Sequence, residues 1–229
     1  MKRMLILVMM GVALLASGLP ANANVSIPAG ELAQRTRYVF EMKDGEGQDH
    51  TVYILATNEK RVIPGTSSWF RTTDRVFRGN YFAALLTADG KNAVLQNLAL
   101  FGFGNRDSTA GTFNVDGGSA MNKAYVVRAS DDGQPDLLIV AQQVTGGGDA
   151  NIRAFFLDEG ELCLIHWQNQ PGETAKFVNV SGMQPVETPG KMRFLTHGWE
   201  RSPKHSGEAK RLWRFDLLNR KMMLMNEVV

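Results

Sequence analysis

The strongest constraint on this chain is a repeated alternation of apolar and polar residues in short runs, each ended by Gly, Asp, Asn or Pro. Residues two apart share one face of a strand, so the pattern describes sheets with a buried face and a wetter one. Candidate strands cover residues 36–42, 51–56, 81–87, 93–101, 124–129, 137–144, 152–157, 161–167, 175–180 and 191–197, with a closing pair at 211–216 and 221–226. Asp44-Gly45, Asp89-Gly90, Asp132-Gly133 and Glu159-Gly160 offer glycines for the positive φ of tight hairpins. No window beyond the leader combines helical periodicity with caps at both ends; the nearest, 78–87, has Tyr and Phe that suit a strand equally well. The pattern therefore predicts an all-β, antiparallel domain.

The first 23 residues read as a cleavable secretory signal. Lys2 and Arg3 form its positive end, Met4 to Ala16 its apolar stretch, and Ala21-Asn22-Ala23 its small-x-small cleavage site. The apolar run is 13 residues, short of the ~20 that span hydrocarbon. Residues 24–34 read as a lead-in segment and 35–229 as a single β-rich domain. Cys163 is the only cysteine and sits in an apolar run, so no internal disulfide is available and it reads as a small buried hydrophobe. Export without disulfides points to a bacterial periplasm or exterior. Removing Lys2 and Arg3 leaves 23 basic and 23 acidic residues, so net charge gives no basis for nucleic-acid binding.

A faint repeat runs through the middle of the chain. Asp89-Gly90-Lys91-Asn92 and Asp132-Gly133-Gln134-Pro135 lie 43 residues apart, and each precedes an apolar run. The segment Asp132-Gly133-Gln134-Pro135-Asp136-Leu137-Leu138-Ile139-Val140 resembles the end of an FG-GAP/VCBS-type β-propeller repeat. The resemblance implies a small propeller-like domain, with a β-sandwich or partial barrel as the alternative for the same strands. In that family the acidic turn often binds calcium. Here Arg128 and Ser130 occupy the places of its earlier acidic ligands, which argues against a hard cation.

No catalytic, metal or cofactor motif stands out. His50 reads as a solvated hairpin tip, and His166 as a structural histidine at a strand end. His197 and His205, with Glu200 and Glu208 nearby, match no zinc spacing. Gly65-Thr66-Ser67-Ser68 lacks the closing glycine of a nucleophile elbow, and Gly146-Gly147-Gly148 lacks the Lys-Ser/Thr of a phosphate loop, reading instead as a wide hairpin loop.

Two features point to binding instead. Trp69, Phe70 and Trp199 fall in expected loops, where aromatics can present a contact platform. Charge is also separated along the chain: residues 129–161 sum to −6 and residues 191–221 to +6. Lys210, Arg211 and Arg214 belong to the basic stretch. The expectation is a non-enzymatic exported domain that binds an anionic envelope component or an acidic protein through these residues. An exported hydrolase converging on His166 or His197 is the alternative, and a scaffold protein with an open edge strand is the third reading.

Overall fold

The computed structural model describes residues 25–63, 71–103, 106–116, 123–143, 149–182, 184–201 and 206–228. Three sheets, antiparallel apart from one strand pair, stack face to face. The first contains β1 (Ser26–Pro28), β2 (Thr36–Lys43), β3 (Asp49–Val62), β4 (Val76–Leu86) and β5 (Asn92–Leu95) in the order β1-β5-β4-β3-β2, preceding a small hairpin of β6 (Phe101–Phe103) and β7 (Arg106–Ser108). A further strand, β8 (Ala110–Asn114), pairs with β4. The second sheet is a meander of β9 (Ala124–Val127), β10 (Leu137–Gln143), β11 (Asp149–Asp158) and β12 (Glu161–Leu164).

The third sheet begins with β13 (His166–Gln170) and β14 (Glu173–Ala175), while β15 (Val178–Ser181) returns to pair with β11. It is completed by β16 (Glu187–Gly190), β17 (Arg193–Arg201), β18 (Ser206–Asp216) and β19 (Lys221–Val228), in the order β14-β13-β19-β18-β17-β16. The β13–β19 pair is parallel. Among the described residues the sheets form no closed barrel, and no helix is long and apolar enough to cross a membrane.

The middle sheet explains the stack. Leu137 to Ala141 are all buried, as are Ala150 to Leu157, so β10 and β11 are covered on both faces. Near-continuous apolar runs are what two-sided burial selects. One face packs Ile139, Ile152 and Phe156 against Trp167, Phe194, Trp213 and Phe215 of the third sheet. The other packs Leu138, Val140 and Phe155 against Val52, Ile54 and Tyr81 of the first. Edge-to-face ring pairs lock both layers: Trp167–Trp213 at 4.9 Å and Tyr81–Phe113 at 4.6 Å between centroids, each adding about 0.5–1.5 kcal/mol beyond burial.

The lead-in segment is built into the first sheet. β1 pairs with β5, and a one-turn helix α1 (Ala29–Leu32) follows it. Ile27 and Leu32 cover Leu55, Ala84 and Leu95 on that sheet's outer face. Strand boundaries also moved. The expected strand 161–167 is divided at Ile165, whose N–H still donates to Ala154 O at 2.9 Å while the next residue joins the third sheet. The expected strand 93–101 breaks after Leu95 and resumes at Phe101.

Turn chemistry follows the sequence at Gly90, Gly133 and Gly160, which have φ of 68°, 77° and 77°. At Asp44-Gly45 the positive φ falls on Gly47 instead, at 82°. The cause is the Asp44 side chain, whose Oδ1 accepts the N–H groups of Glu46 and Gln48 at 2.9 Å each and shapes the loop around itself.

Gly111 shows how closely the first core is filled. A Cβ there would come within 2.3 Å of the Phe101 ring, which is itself buried against Tyr81 and Phe113. Gly111→Ala is expected to cost about 1–3 kcal/mol in urea unfolding; an unchanged midpoint contradicts this packing.

Candidate binding face and clefts

Strand alternation sorts the basic stretch into two faces. Phe194, Thr196, Trp213 and Phe215 turn into the stack, with Trp213 Nε1 donating to Thr196 Oγ1 at 2.9 Å. The intervening residues share the opposite face: Arg193, Leu195, His197 and Trp199 on β17, with Lys210, Leu212 and Arg214 on β18. Trp199 is 51% exposed there, and Met225, at the bulge of β19 level with Leu212 and Trp213, is also exposed. The corresponding outer face of the first sheet is covered by β1 and α1.

This outer face sets like charges side by side, with Asp216 the carboxylate that borders Arg214. Arg193 and Arg214 are direct cross-strand partners, an arrangement that destabilises a sheet unless an anion serves both. Lys210 lies opposite His197. Arg193, Lys210 and Arg214 make no salt bridge among the described residues. The nearby carboxylates are engaged elsewhere: Glu208 Oε1 lies 2.7 Å from His197 Nδ1, and Glu187 Oε1 lies 2.9 Å from His197 Nε2.

Arg211 does not join Lys210 and Arg214. It lies on the inner side, reaching over Gly198 to donate from Nη1 to Asn179 O at 3.2 Å. Trp69 and Phe70 lie outside the described residues, as do the leader, the Gly65–Ser68 loop, Gly146-Gly147-Gly148 and His205.

The histidines differ in what they could do chemically. His197 is only 5% exposed, and both its ring nitrogens are taken. Its two glutamates approach from opposite sides of the ring, so the three groups share no point for a cation, and the described residues hold no group of three potential metal ligands. His166 stands where the chain passes from the second sheet to the third.

His50 is the histidine that sequence reasoning undervalued. Its Nε2 lies 2.8 Å from Asp44 Oδ2, and both line a cleft of about 440 Å³ with Glu46, Asp158 and Glu159. The residues lining this cleft include no Ser, Thr, Cys or Lys to serve as a nucleophile. Burial raises the affinity of the Asp44 carboxyl for its proton. The His50 contact and the N–H groups of Gln48 and Glu46 outweigh it and hold the carboxyl below its ordinary range.

The acidic turn that resembles a calcium loop works as an internal clamp. Asp136 accepts N–H groups from Lys43 at 2.9 Å and Ala129 at 2.7 Å, and pairs with Arg128 at 2.8 Å. Asp131 accepts the Lys191 N–H, and Gln134 Oε1 accepts that of Met192 at 3.0 Å. These bonds hold Lys191 and Met192 at φ of 55° and 56° in a two-residue hairpin loop without glycine, a conformation costing non-glycine residues about 1–2 kcal/mol each. Asp158 is likewise paired, with Arg220 at 2.8 Å. Part of the acidic segment is thus spent inside the fold.

No family model, curated protein or solved structure matches this chain.

The Asp44 carboxyl sits below its unfolded value of about 3.9, so its stabilising contribution is present above that pH and is lost as pH falls through the lower folded value. Asp44→Asn should therefore lower the urea midpoint near about pH 7, with the gap to the parent closing below about pH 4. A gap that persists unchanged in acid contradicts the assignment.

Proposed function

We propose that this chain is an exported, non-enzymatic binding domain that docks an anionic component of the cell envelope on the outer face of its third sheet. One observation carries the proposal: Arg193 and Arg214 stand opposite each other as like-charged cross-strand partners, beside Lys210, on a face that also exposes Trp199. A bound anion would relieve that repulsion and return part of the cost as affinity. The exposed indole would supply apolar contact area next to the charges. The leader in residues 1–23 supports action outside the cytoplasm.

The stack also supports a propeller-like reading of the fold over a two-layer sandwich. Three successive meanders packed face to face, the middle one buried on both sides, are how neighbouring blades sit. On this reading the FG-GAP/VCBS-like turn keeps its hairpin role and has exchanged cation binding for the clamp on Lys191 and Met192.

A hydrolase reading retains one specific observation, the Asp44–His50 pair in an open cleft. It would need a nucleophile from outside the lining residues or a water activated by His50.

Replacing Lys210 and Arg214 together with Gln should weaken retention on an anionic matrix at low salt by about 5- to 30-fold, from about 0.5–1 kcal/mol per exposed charge. Arg211→Gln should change it far less, because Arg211 lies on the other face. Equal effects from the two variants would contradict the outer-face assignment, and no effect from either would remove it.

A further inference from the structure

We propose that the seam where the chain leaves the second sheet for the third is a binding site for a small phosphate-class anion, built from Arg153, His166, Lys176 and Lys221. This site is separate from the outer face described above and does not depend on it.

The seam is set by strand register. β12 pairs with β11 through Phe155↔Leu164, and Ile165 N–H extends the ladder to Ala154 O. The next residue, His166, therefore comes level with Arg153 as it enters the third sheet, where it is the parallel partner of Lys221. From the other end of β11, β15 pairs through Ile152↔Val178, which brings Lys176 to the same gap. Three cationic or basic side chains from residues 153–176 and a fourth from β19 are thus brought to the point where two strands part.

Arg153 is the unusual member. It is 4% exposed, on a strand of the middle sheet, and its guanidinium is engaged at only two of its three nitrogens. Nη1 donates to Phe101 O at 2.6 Å and Nη2 to Asp107 Oδ1 at 3.1 Å, while Nε has no hydrogen-bond partner among the described residues. Burying a guanidinium costs several kcal/mol unless its donors are met. The counter-charge nearby is thin. Asp107 is shared, its Oδ2 accepting from Lys176 Nζ at 2.8 Å, and its side chain is 43% exposed.

The charge at the seam is positive. Arg153, Lys176 and Lys221 face His166 with Asp107 as their opposing carboxylate. Asp216, cross-strand from Lys221, also borders Arg214. Burial, reinforced by Lys176, Lys221 and Arg153, holds His166 below its ordinary range. The ring thus stands ready to donate or accept a single proton as its surroundings change.

Asp107 shows what the seam accepts: one carboxylate already bridges the buried arginine and an exposed lysine. A phosphate monoester or inorganic phosphate has more acceptor oxygens and more charge, and can hydrogen-bond Lys176, Lys221 and the imidazole together. Its charge favours the imidazolium, so binding would be accompanied by proton uptake at His166.

The test uses the full mature chain and the ring-proton NMR signals of His166, titrated with inorganic phosphate at constant ionic strength against chloride. The expected result is a saturable shift of His166, with its titration midpoint moving up when phosphate is bound. Lys176→Gln should weaken the apparent affinity at least ~5-fold. Lys91→Gln, a remote surface change, should leave it unchanged.

Asp107→Asn is the sharper variant, because it removes the competing carboxylate. It should tighten phosphate binding, whereas a purely structural role for the Arg153–Asp107–Lys176 network predicts no such gain. Glycerol phosphate and vesicles of anionic phospholipid, run in parallel, separate a free phosphate ligand from a lipid headgroup. A linear shift that is equal with chloride and unaffected by Lys176→Gln overturns the site. So does weaker binding in a folded Asp107→Asn protein.

Discussion

Everything in this fold depends on the burial of β10 and β11 on both faces. Those two strands have no solvent side, so each needs an apolar partner above and below, and the first and third sheets supply them. The consequence reaches the ends of the stack. A pile of three sheets has two outer faces, and the chain treats them differently. Residues from β1 and α1 lie over one. Over the other, β17 and β18 present arginines, a lysine and a tryptophan. We propose the uncovered face as the docking surface because the stack leaves it as a broad surface of mixed charge and apolar character.

Local signals made much of this legible in the sequence. The short apolar runs bounded by turn residues located the β2, β10 and β19 segments to within a few residues, and Gly90, Gly133 and Gly160 take the positive φ expected of them. What alternation cannot report is which strands lie in a middle layer. Leu137 to Ala141 do not alternate at all, and that is the trace of burial on both sides. The break at Ile165 was invisible for a related reason. The apolar core of that run, residues 162–165, reads the same whether its strand stays in one sheet or passes to the next, and only the pairing of His166 with Lys221 distinguishes the two.

The site was legible in composition and obscure in geometry. The basic character of residues 191–221 is present in the sequence, but Lys210 and Arg211 are neighbours there and lie on opposite sides of β18 in the fold. The pairing of Arg193 with Arg214 depends on hairpin register, which no local pattern specified. The acidic segment shows the converse. Asp131, Asp136 and Asp158 look like a negative surface in sequence, yet each is tied to a backbone N–H or an arginine. The separation of charge along the chain is therefore partly cancelled within the fold, and what survives is concentrated on the third sheet. His50 reads as a hairpin-tip residue in the sequence because nothing local reveals that the Asp44 loop curls back onto it.

On the proposed reading, a partner docks on the uncovered face of the third sheet. It is tested by a chemical-shift map of the isotopically labelled protein titrated with an anionic polymer. The account predicts that the largest changes fall on the Trp199 indole and on the amides of Arg193, Lys210 and Arg214, with Arg211 and the first sheet little affected. Changes centred on the Asp44–His50 cleft, or spread evenly over the surface, would contradict it.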